Sequence, residues 1–178
     1  MTDRDLQQRR YIAAGIDIAV VIAIGIVFGI IGMVLGFAFT QASSSSMVGV
    51  YLPRVINFLG SLVTLGYILG RDVVAGDRSI GKKIQNIRVV TVTGTPIGFT
   101  ESAKRNGIFA IGAALGAISA TLGLIPCLGD VIRCLLLPVT ILGLIIAFAA
   151  AVYELILITQ RPDGVRYGDQ LAATRVVR

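Results

Sequence analysis

Long apolar runs separated by short polar segments dominate the chain. Between Ile18 and Leu52 no side chain carries a charge. At about 1.5 Å per residue, a helix of roughly 20 apolar residues crosses the hydrocarbon core of a bilayer. The pattern predicts four membrane-spanning helices, at about residues 12–39, 55–70, 107–125 and 134–158.

The polar segments have patterns of their own. In the central loop, residues 71–106, Ile80, Ile84 and Ile87 recur at helical spacing with basic residues between them. This spacing predicts a short amphipathic helix at the membrane interface. A run of β-branched residues follows at 88–93 and predicts a strand.

Basic side chains concentrate in the N-terminal segment, the central loop and the tail, residues 159–178. These three segments hold 14 of the 16 Lys and Arg residues. The positive-inside rule places such segments in the cytoplasm. The sequence therefore predicts an all-α membrane protein of a single domain, residues 1–178. It has four transmembrane helices, cytoplasmic termini, and a short amphipathic helix and small β-ribbon in the cytoplasmic loop and tail.

Two short patterns recur along the chain. A segment that begins at Gly81 and ends in Arg-Val-Val is echoed by one that begins at Gly168, and Asp5-x-x-x-Arg9 is echoed by Glu101-x-x-x-Arg105. One interpretation is two halves of parallel topology, related by an axis along the membrane normal, with the two Arg-Val-Val strands paired as a ribbon. The other is chance similarity between short, biased segments.

Small residues form a stripe on the first predicted helix. Gly25, Gly29, Gly32 and Gly36 fall on one face, where small side chains allow another helix to approach closely. The alternative is that glycine is simply frequent, since the chain has 21.

Composition narrows the class of function. Charged residues make up 15% of the chain, against about 25% in soluble domains. Histidine is absent, and no nucleophile–base pair or metal-ligand cluster is visible. We therefore expect no enzyme, no metal and no cofactor. The formal charge of +6 follows from membrane topology and predicts attraction to anionic lipid head groups rather than nucleic acid.

Four segments together resemble the RDD family of small membrane proteins. They are Arg9-Arg10 with Asp17, the segment from Gly81-Lys82 to Arg88-Val89-Val90, Arg105-Asn106, and the segment from Tyr167 to Val177 with Asp169. By this resemblance, the family's arginine is Arg10 and its two aspartates are Asp17 and Asp169. One departure is Ser79-Ile80, where the family often has Thr-Pro.

The resemblance implies a polar cluster of family residues at the cytoplasmic side. Its candidates are Arg9, Arg10, Asp17, Lys82, Arg88, Arg105, Asn106 and Asp169. Family members are suspected of transporting unidentified ligands; some resemble sodium/proton antiporters in activity, and others act as partners in membrane assemblies. We expect the chain in the plasma (inner) membrane of a bacterium.

Asp17 and Glu154 are the acids within the predicted spans, where an ionisable group is costly and faces protein or water. In one interpretation they share a site for a monovalent cation or a proton. In the other, Asp17 forms a structural salt bridge with Arg10, Arg88 or Arg105, and Glu154 pairs with a basic residue of a loop. The sequence leaves both open.

Three further features have alternative interpretations. Asp169 could cap a helix of the tail or hold an arginine. Cys127 and Cys134 flank a short turn, where they form either a disulfide or two free thiols. A basic rim on the predicted cytoplasmic side suits anionic lipid or, less well, a phosphate-bearing ligand; its members are Lys82, Lys83, Arg88, Lys104 and Arg105.

Two classes of function fit these observations. The first is a small transporter or cation/proton exchange module, assembled as a homo-oligomer or with other membrane proteins because four spans enclose little volume. The second is a non-catalytic scaffold that packs against membrane partners through its glycine-rich helix faces.

Overall fold

The computed structural model describes residues 3–42, 47–126, 128–160 and 165–177. In chain order the elements are α1 (Asp3–Ala42), α2 (Met47–Val74), α3 (Ile80–Ile84), β1 (Arg88–Thr91), α4 (Phe99–Leu122), α5 (Gly129–Gln160), α6 (Tyr167–Leu171) and β2 (Thr174–Val177). The four long helices α1, α2, α4 and α5 are each long and apolar enough to cross a membrane. The prediction of four spans is confirmed.

The helix bounds differ from the predicted spans. α1 begins at Asp3 rather than near residue 12, α2 at Met47 rather than 55, and α5 at Gly129 rather than 134. Apolar side chains mark the part of a helix that suits lipid, whereas backbone hydrogen bonding continues into polar residues at both ends. α4 likewise begins at Phe99 and ends at Leu122, before the turn at Gly123.

The chain divides into two compact units. Unit 1 comprises residues 1–21, 66–110 and 147–178, and unit 2 comprises residues 22–65 and 111–146. Unit 1 therefore holds both short helices and both strands. Unit 2 consists mainly of the C-terminal portions of α1 and α4 and the N-terminal portions of α2 and α5.

Close helix contacts in unit 2 occur at glycines. A Cβ added at Gly36 would lie 2.7 Å from Cγ of Pro53, and one added at Gly60 would lie 2.7 Å from Cβ of Phe28. Gly25 and Gly29, by contrast, have nothing within 4 Å of such an atom. Only part of the predicted glycine stripe is therefore used for packing within this chain.

Strands β1 and β2 form a two-stranded antiparallel sheet in unit 1. Arg88 lies opposite Val177 and Thr91 opposite Thr174, so the two Arg-Val-Val segments are neighbours. Val89 and Val90 point to opposite faces of β1, and both are buried, at 0% and 6% exposure. The ribbon thus joins the two sequence segments of the suspected repeat.

Each short helix approaches a long helix through a glycine. A Cβ at Gly81 in α3 would overlap the carbonyl oxygen of Ala13 in α1, and a Cβ at Gly168 in α6 would overlap the carbonyl oxygen of Arg105 in α4. The structural repeat therefore aligns Ala13 with Arg105. This is one helical turn away from the alignment of Arg9 with Arg105 suggested by the sequence.

We expect Gly81→Ala and Gly168→Ala each to lower the free energy of unfolding by about 1–3 kcal/mol, because the added methyl group pushes the short helix away from the main chain beneath it. Gly66→Ala is the matched control, since nothing lies within 4 Å of its new Cβ. Thermal unfolding in detergent micelles measures the difference. Equal stabilities for all three variants would contradict this packing.

Candidate functional site

The interior of unit 1 contains charged side chains. Asp72, Arg105 and Asp169 are at most 1% exposed, and Lys82 is 7% exposed. Buried charges are tolerated in proteins where they are paired and hydrogen-bonded. Each of these buried charges therefore depends on a partner of opposite charge within unit 1.

Arg105 lies at the centre of this cluster. Its Nη2 is 2.8 Å from Oδ1 of Asp169, and its Nε is 3.5 Å from Oδ2 of Asp72. Asp72 belongs to the end of α2 and Asp169 to α6, while Arg105 is in α4. One buried guanidinium thus joins three elements that are far apart in the sequence.

Asp72 gathers several donors around its carboxylate. Lys82 Nζ forms an ion pair and hydrogen bond with Oδ1, and Asn106 Nδ2 donates to Oδ2 at 3.0 Å. The Oδ1 atom of Asn106 accepts from Arg71 at 2.6 Å. The predicted cluster members Lys82, Arg105 and Asn106 therefore meet at Asp72.

Asp72 is not among the cluster residues predicted from the sequence. In the sequence it follows Arg71, directly after the apolar run that ends at Gly70, where the chain was expected to leave the membrane. In the structure it belongs to α2 and is 0% exposed. One sequence signal could have identified it: an acidic residue lies within one helical turn of an apolar span, in a chain with many lysines and arginines that could pair with it.

Asp169 is held by three arginines. Arg10 Nη2 donates to Oδ2 at 2.8 Å, Arg105 lies at the same distance from Oδ1, and Arg166 Nη2 is 3.4 Å from Oδ1. The backbone N–H of Arg166 also donates to Oδ2 at 3.2 Å, at the start of α6. Both roles considered from the sequence, helix cap and arginine partner, occur together.

These charges set the acid–base behaviour of Asp169 and Arg166. Burial alone would raise the pKa of the Asp169 carboxyl, but Arg105, Arg166 and Arg10 outweigh it and lower that pKa to about 2. Burial opposes the charge of Arg166, and the carboxylates of Asp169 and Glu154 raise its pKa overall. Both groups are held in their charged forms at neutral pH.

Lys82 differs from the arginines around it. Burial lowers the pKa of its ammonium group, Asp72 opposes this, and Arg105, Arg166 and Arg71 add to it, so that the pKa falls to about 7. Arginine keeps its charge at any accessible pH, whereas lysine can lose a proton. Lys82 is therefore the cation of this cluster that titrates near neutral pH.

Asp17 has a different environment. It is 2% exposed, and its Oδ1 accepts hydrogen bonds from Tyr67 Oη at 3.2 Å and from the backbone N–H of Gly81 at 2.9 Å. Gly81 is in the first turn of α3, so Asp17 caps that short helix across the fold. Both donors are neutral.

One of the two interpretations of Asp17, a structural salt bridge with Arg10, Arg88 or Arg105, is wrong. Arg10 and Arg105 contact Asp169, and Arg88 is exposed on β1, away from the buried cluster. Within residues 3–42, 47–126, 128–160 and 165–177, no basic side chain lies within ion-pair distance of Asp17. The backbone amide of α3 takes the place that an arginine was expected to fill.

Glu154 caps the other short helix. Its Oε1 accepts from the backbone N–H of Gly168 at 2.9 Å, and its Oε2 lies 3.6 Å from Nε of Arg166. Asp17 and Glu154 thus play the same part for α3 and α6. In the described part of the chain no hydrogen bond joins the two acids, so the structure gives each its own environment.

The remaining candidates lie outside this cluster. Arg9 contacts Asp5 at 3.3 Å and donates to the carbonyl of Gln85 at 3.2 Å, which ties α1 to the end of α3. Cys134 is exposed on α5, and its suggested disulfide partner Cys127 lies outside the described residues. Among the residues described, no three acidic or cysteine side chains gather to hold a metal ion.

Comparison with known proteins gives one match. A family model described as the RDD family matches residues 7–173, which include every member of the buried cluster. No curated protein and no solved structure matches the chain.

We expect Asp72→Asn to lower the free energy of unfolding by about 3–5 kcal/mol, because it leaves Lys82 and Arg105 buried with one carboxylate fewer. Asp130→Asn is the control. Its carboxylate also pairs with an arginine, at 2.7 Å, but its side chain is 72% exposed. The control should cost about 0–1 kcal/mol. Denaturation in detergent distinguishes the two, and similar losses would show that burial of Asp72 contributes little.

The lowered pKa of Lys82 predicts a pH dependence of stability. Between pH 7 and about 10.5 the unfolded chain binds more protons at this residue than the folded chain, so its contribution to stability increases as pH rises. The slope is at most about 1.4 kcal/mol per pH unit for one group. Unfolding of the wild type and of Lys82→Met, followed from pH 6.5 to 9.5, isolates it.

Lys83→Met, at an exposed neighbouring lysine, is the control for the pH series and should keep the wild-type slope. A Lys82→Met variant with the same slope as the wild type would exclude Lys82 as its source.

Proposed function

We propose that this chain, which belongs to the RDD family, is a small membrane module that exchanges protons for monovalent cations at Asp17. The chain is an integral membrane protein with four apolar helices. The observation that carries the proposal is the Asp17 carboxylate, buried in α1 without a cationic partner among the described residues.

The contrast with the other buried acids supports this choice. Asp72 has Lys82 and Arg105, Asp169 has three arginines, and Glu154 has Arg166. Those charges are compensated by the protein. A buried carboxylate without a counter-charge is costly, and a proton or a monovalent cation supplies that charge.

The atoms next to Asp17 also suit a small cation. Oxygen ligands are those that hard cations prefer, and the Asp17 carboxylate lies 3.2 Å from the hydroxyl oxygen of Tyr67. The Gly81 amide holds one carboxylate oxygen in place. In the proposed exchange, a cation and a proton compete for the same carboxylate, so one leaves as the other binds.

The proposed orientation has both termini in the cytoplasm of a bacterium, with the helices in its plasma membrane. The 14 of 16 basic residues in the N-terminal segment, the loop and the tail support it. Exposed Lys83 and Lys104 lie near exposed apolar residues, among them Ile84 and Phe99. Such a combination favours contact with anionic lipid head groups.

A second candidate function is a non-catalytic scaffold for membrane partners. It is favoured by Gly25 and Gly29, which have open space beside them where another helix could pack. In that case Asp17 would act only as the cap of α3.

Asp17→Asn tests the exchange proposal. Asparagine keeps an oxygen for the Gly81 amide but cannot carry the charge, so we expect the variant to fold while cation-dependent proton flux falls to the level of protein-free vesicles. The purified chain is reconstituted into liposomes that contain a pH-sensitive dye. Internal pH is then followed after addition of Na⁺ or K⁺.

Asp5→Asn, in the same helix but partly exposed and paired with Arg9, is the control and should retain flux. Circular dichroism and gel filtration establish that both variants are folded. Wild-type liposomes without cation-dependent flux, or a folded Asp17→Asn variant with normal flux, would refute exchange at Asp17 and favour the scaffold.

A further inference from the structure

The two short helices of unit 1 begin in the same way. Ser79 and Arg166 are their N-cap residues, with backbone angles of φ −75°, ψ 167° and φ −82°, ψ 163°. Two residues later a glycine, Gly81 or Gly168, packs on a long helix and donates its N–H to a buried carboxylate at 2.9 Å. The two carboxylate oxygens that accept these N–H groups therefore occupy equivalent positions beside α3 and α6.

The two acids reach this position from different long helices. Glu154 comes from α5 and precedes Gly168 by 14 residues, and the residue at the same interval before Gly81 is Tyr67 of α2. Tyr67 donates its hydroxyl to Asp17 of α1. The second long helix of each half thus contributes a side chain to the capped end of the short helix, an aromatic one in the first half and an acid in the second. The sites at Asp17 and Glu154 are therefore two versions of one arrangement.

The second oxygen of each acid distinguishes the two sites. Oε2 of Glu154 is buried without a hydrogen bond from the described residues, and it lies 3.6 Å from Nε of Arg166, which also makes none with them. Arg166 therefore acts on this oxygen through its charge. At Asp17 both donors bind Oδ1, and in the described part of the chain Oδ2 has neither a hydrogen bond nor a basic side chain within ion-pair distance.

The N-cap residue accounts for this difference. In α6 it is Arg166, whose long side chain reaches Glu154. In α3 it is Ser79, whose short, neutral side chain accepts the N–H of Lys82 at 3.2 Å. The N-cap residue therefore brings a positive charge to the acid in the second half and none in the first.

We propose that Arg166 is a resident cation, whose guanidinium holds at Glu154 the place that an exchanged monovalent cation takes at Asp17. The role assigned to Arg166 rests on the cation site proposed at Asp17. A buried carboxylate with a covalently attached counter-charge gains little from a free cation, whereas the equivalent carboxylate without one gains more. The short helices thus provide two carboxylate sites, and Arg166 leaves only the first of them open to Na⁺ or K⁺.

Replacing Arg166 by serine, the residue at the equivalent N-cap position, should open the second site. The full-length chain carries Asp17→Asn, so that the Asp17 carboxylate does not contribute. Thermal unfolding in detergent is followed while Na⁺ or K⁺ replaces N-methyl-D-glucamine, a bulky cation, at constant ionic strength. With Arg166→Ser, the unfolding temperature should rise by about 2–4 °C once Na⁺ or K⁺ exceeds its dissociation constant about fivefold. With Arg166 intact it should not change.

Two controls identify the acid that binds the cation. Glu154→Gln, added to the same chain, removes the carboxylate and should abolish the response. Arg54→Ser removes an arginine from Asp130, whose side chain is 72% exposed and therefore already solvated, and should produce no response.

A second variant covers the case in which the chain with Asp17→Asn and Arg166→Ser does not fold. Arg166→Gln, in the chain that retains Asp17, keeps most of the side-chain length without the charge. The response that it adds to that of the wild type, and that Glu154→Gln removes, is then the measure.

Three results would each overturn the role of Arg166: no added response when its charge is removed, a response that survives Glu154→Gln, or a response already present in Asp17→Asn with Arg166 intact. Failure of exchange at Asp17 is recognised separately. It is measured as cation-dependent proton flux of the wild-type chain, whereas the response at Glu154 is measured without the Asp17 carboxylate or as an addition to the wild-type response.

Discussion

The ion pairs of Arg105 with Asp72 and Asp169 hold unit 1 together. The guanidinium is 1% exposed and cannot lose its charge, so its burial depends on both carboxylates. Those carboxylates belong to α2 and α6, and they in turn bind Lys82 and Arg10. The loop and the tail are therefore positioned by charge as much as by apolar contact.

The two halves use the same device with different acids. In each, a glycine packs a short helix against a long one, and a carboxylate accepts the glycine's N–H. In the first half the acid is Asp17 from α1, and in the second it is Glu154 from α5. Glu154 has Arg166 near it, whereas the described residues that donate to Asp17 are neutral, Tyr67 and the Gly81 amide. The two halves are therefore built alike around their short helices. They differ in the charge beside the capping acid, and this difference is why Asp17 is the candidate site.

Hydropathy and charge asymmetry were sufficient to predict the four spans, and the shared Arg-Val-Val segments indicated which strands are neighbours. The partners of the buried charges were not predictable in the same way. A sequence shows which side chains carry charge, so it suggested an arginine for Asp17. The donor is instead a backbone N–H, which every residue except proline has and no pattern marks. Asp72 was missed because the sequence does not show whether the helix ends at a charged residue beside a span or continues through it. In the structure α2 continues to Val74 and Asp72 is buried.

The proposed exchange depends on a difference between the buried acids: Asp72, Glu154 and Asp169 have basic partners, and Asp17 has none among the described residues. If Asp17 had an arginine partner, its charge would be satisfied permanently and neither a proton nor a cation would gain by binding. If several buried acids lacked a basic partner, the cost of burying their negative charges would be high. Basic side chains pair with Asp72, Glu154 and Asp169, and the fixed Gly81 amide orients Asp17. Among these four acids, the carboxylate left without a basic partner in the described residues is therefore that of Asp17. In the proposed exchange, that carboxylate is the group at which a proton and a cation replace each other.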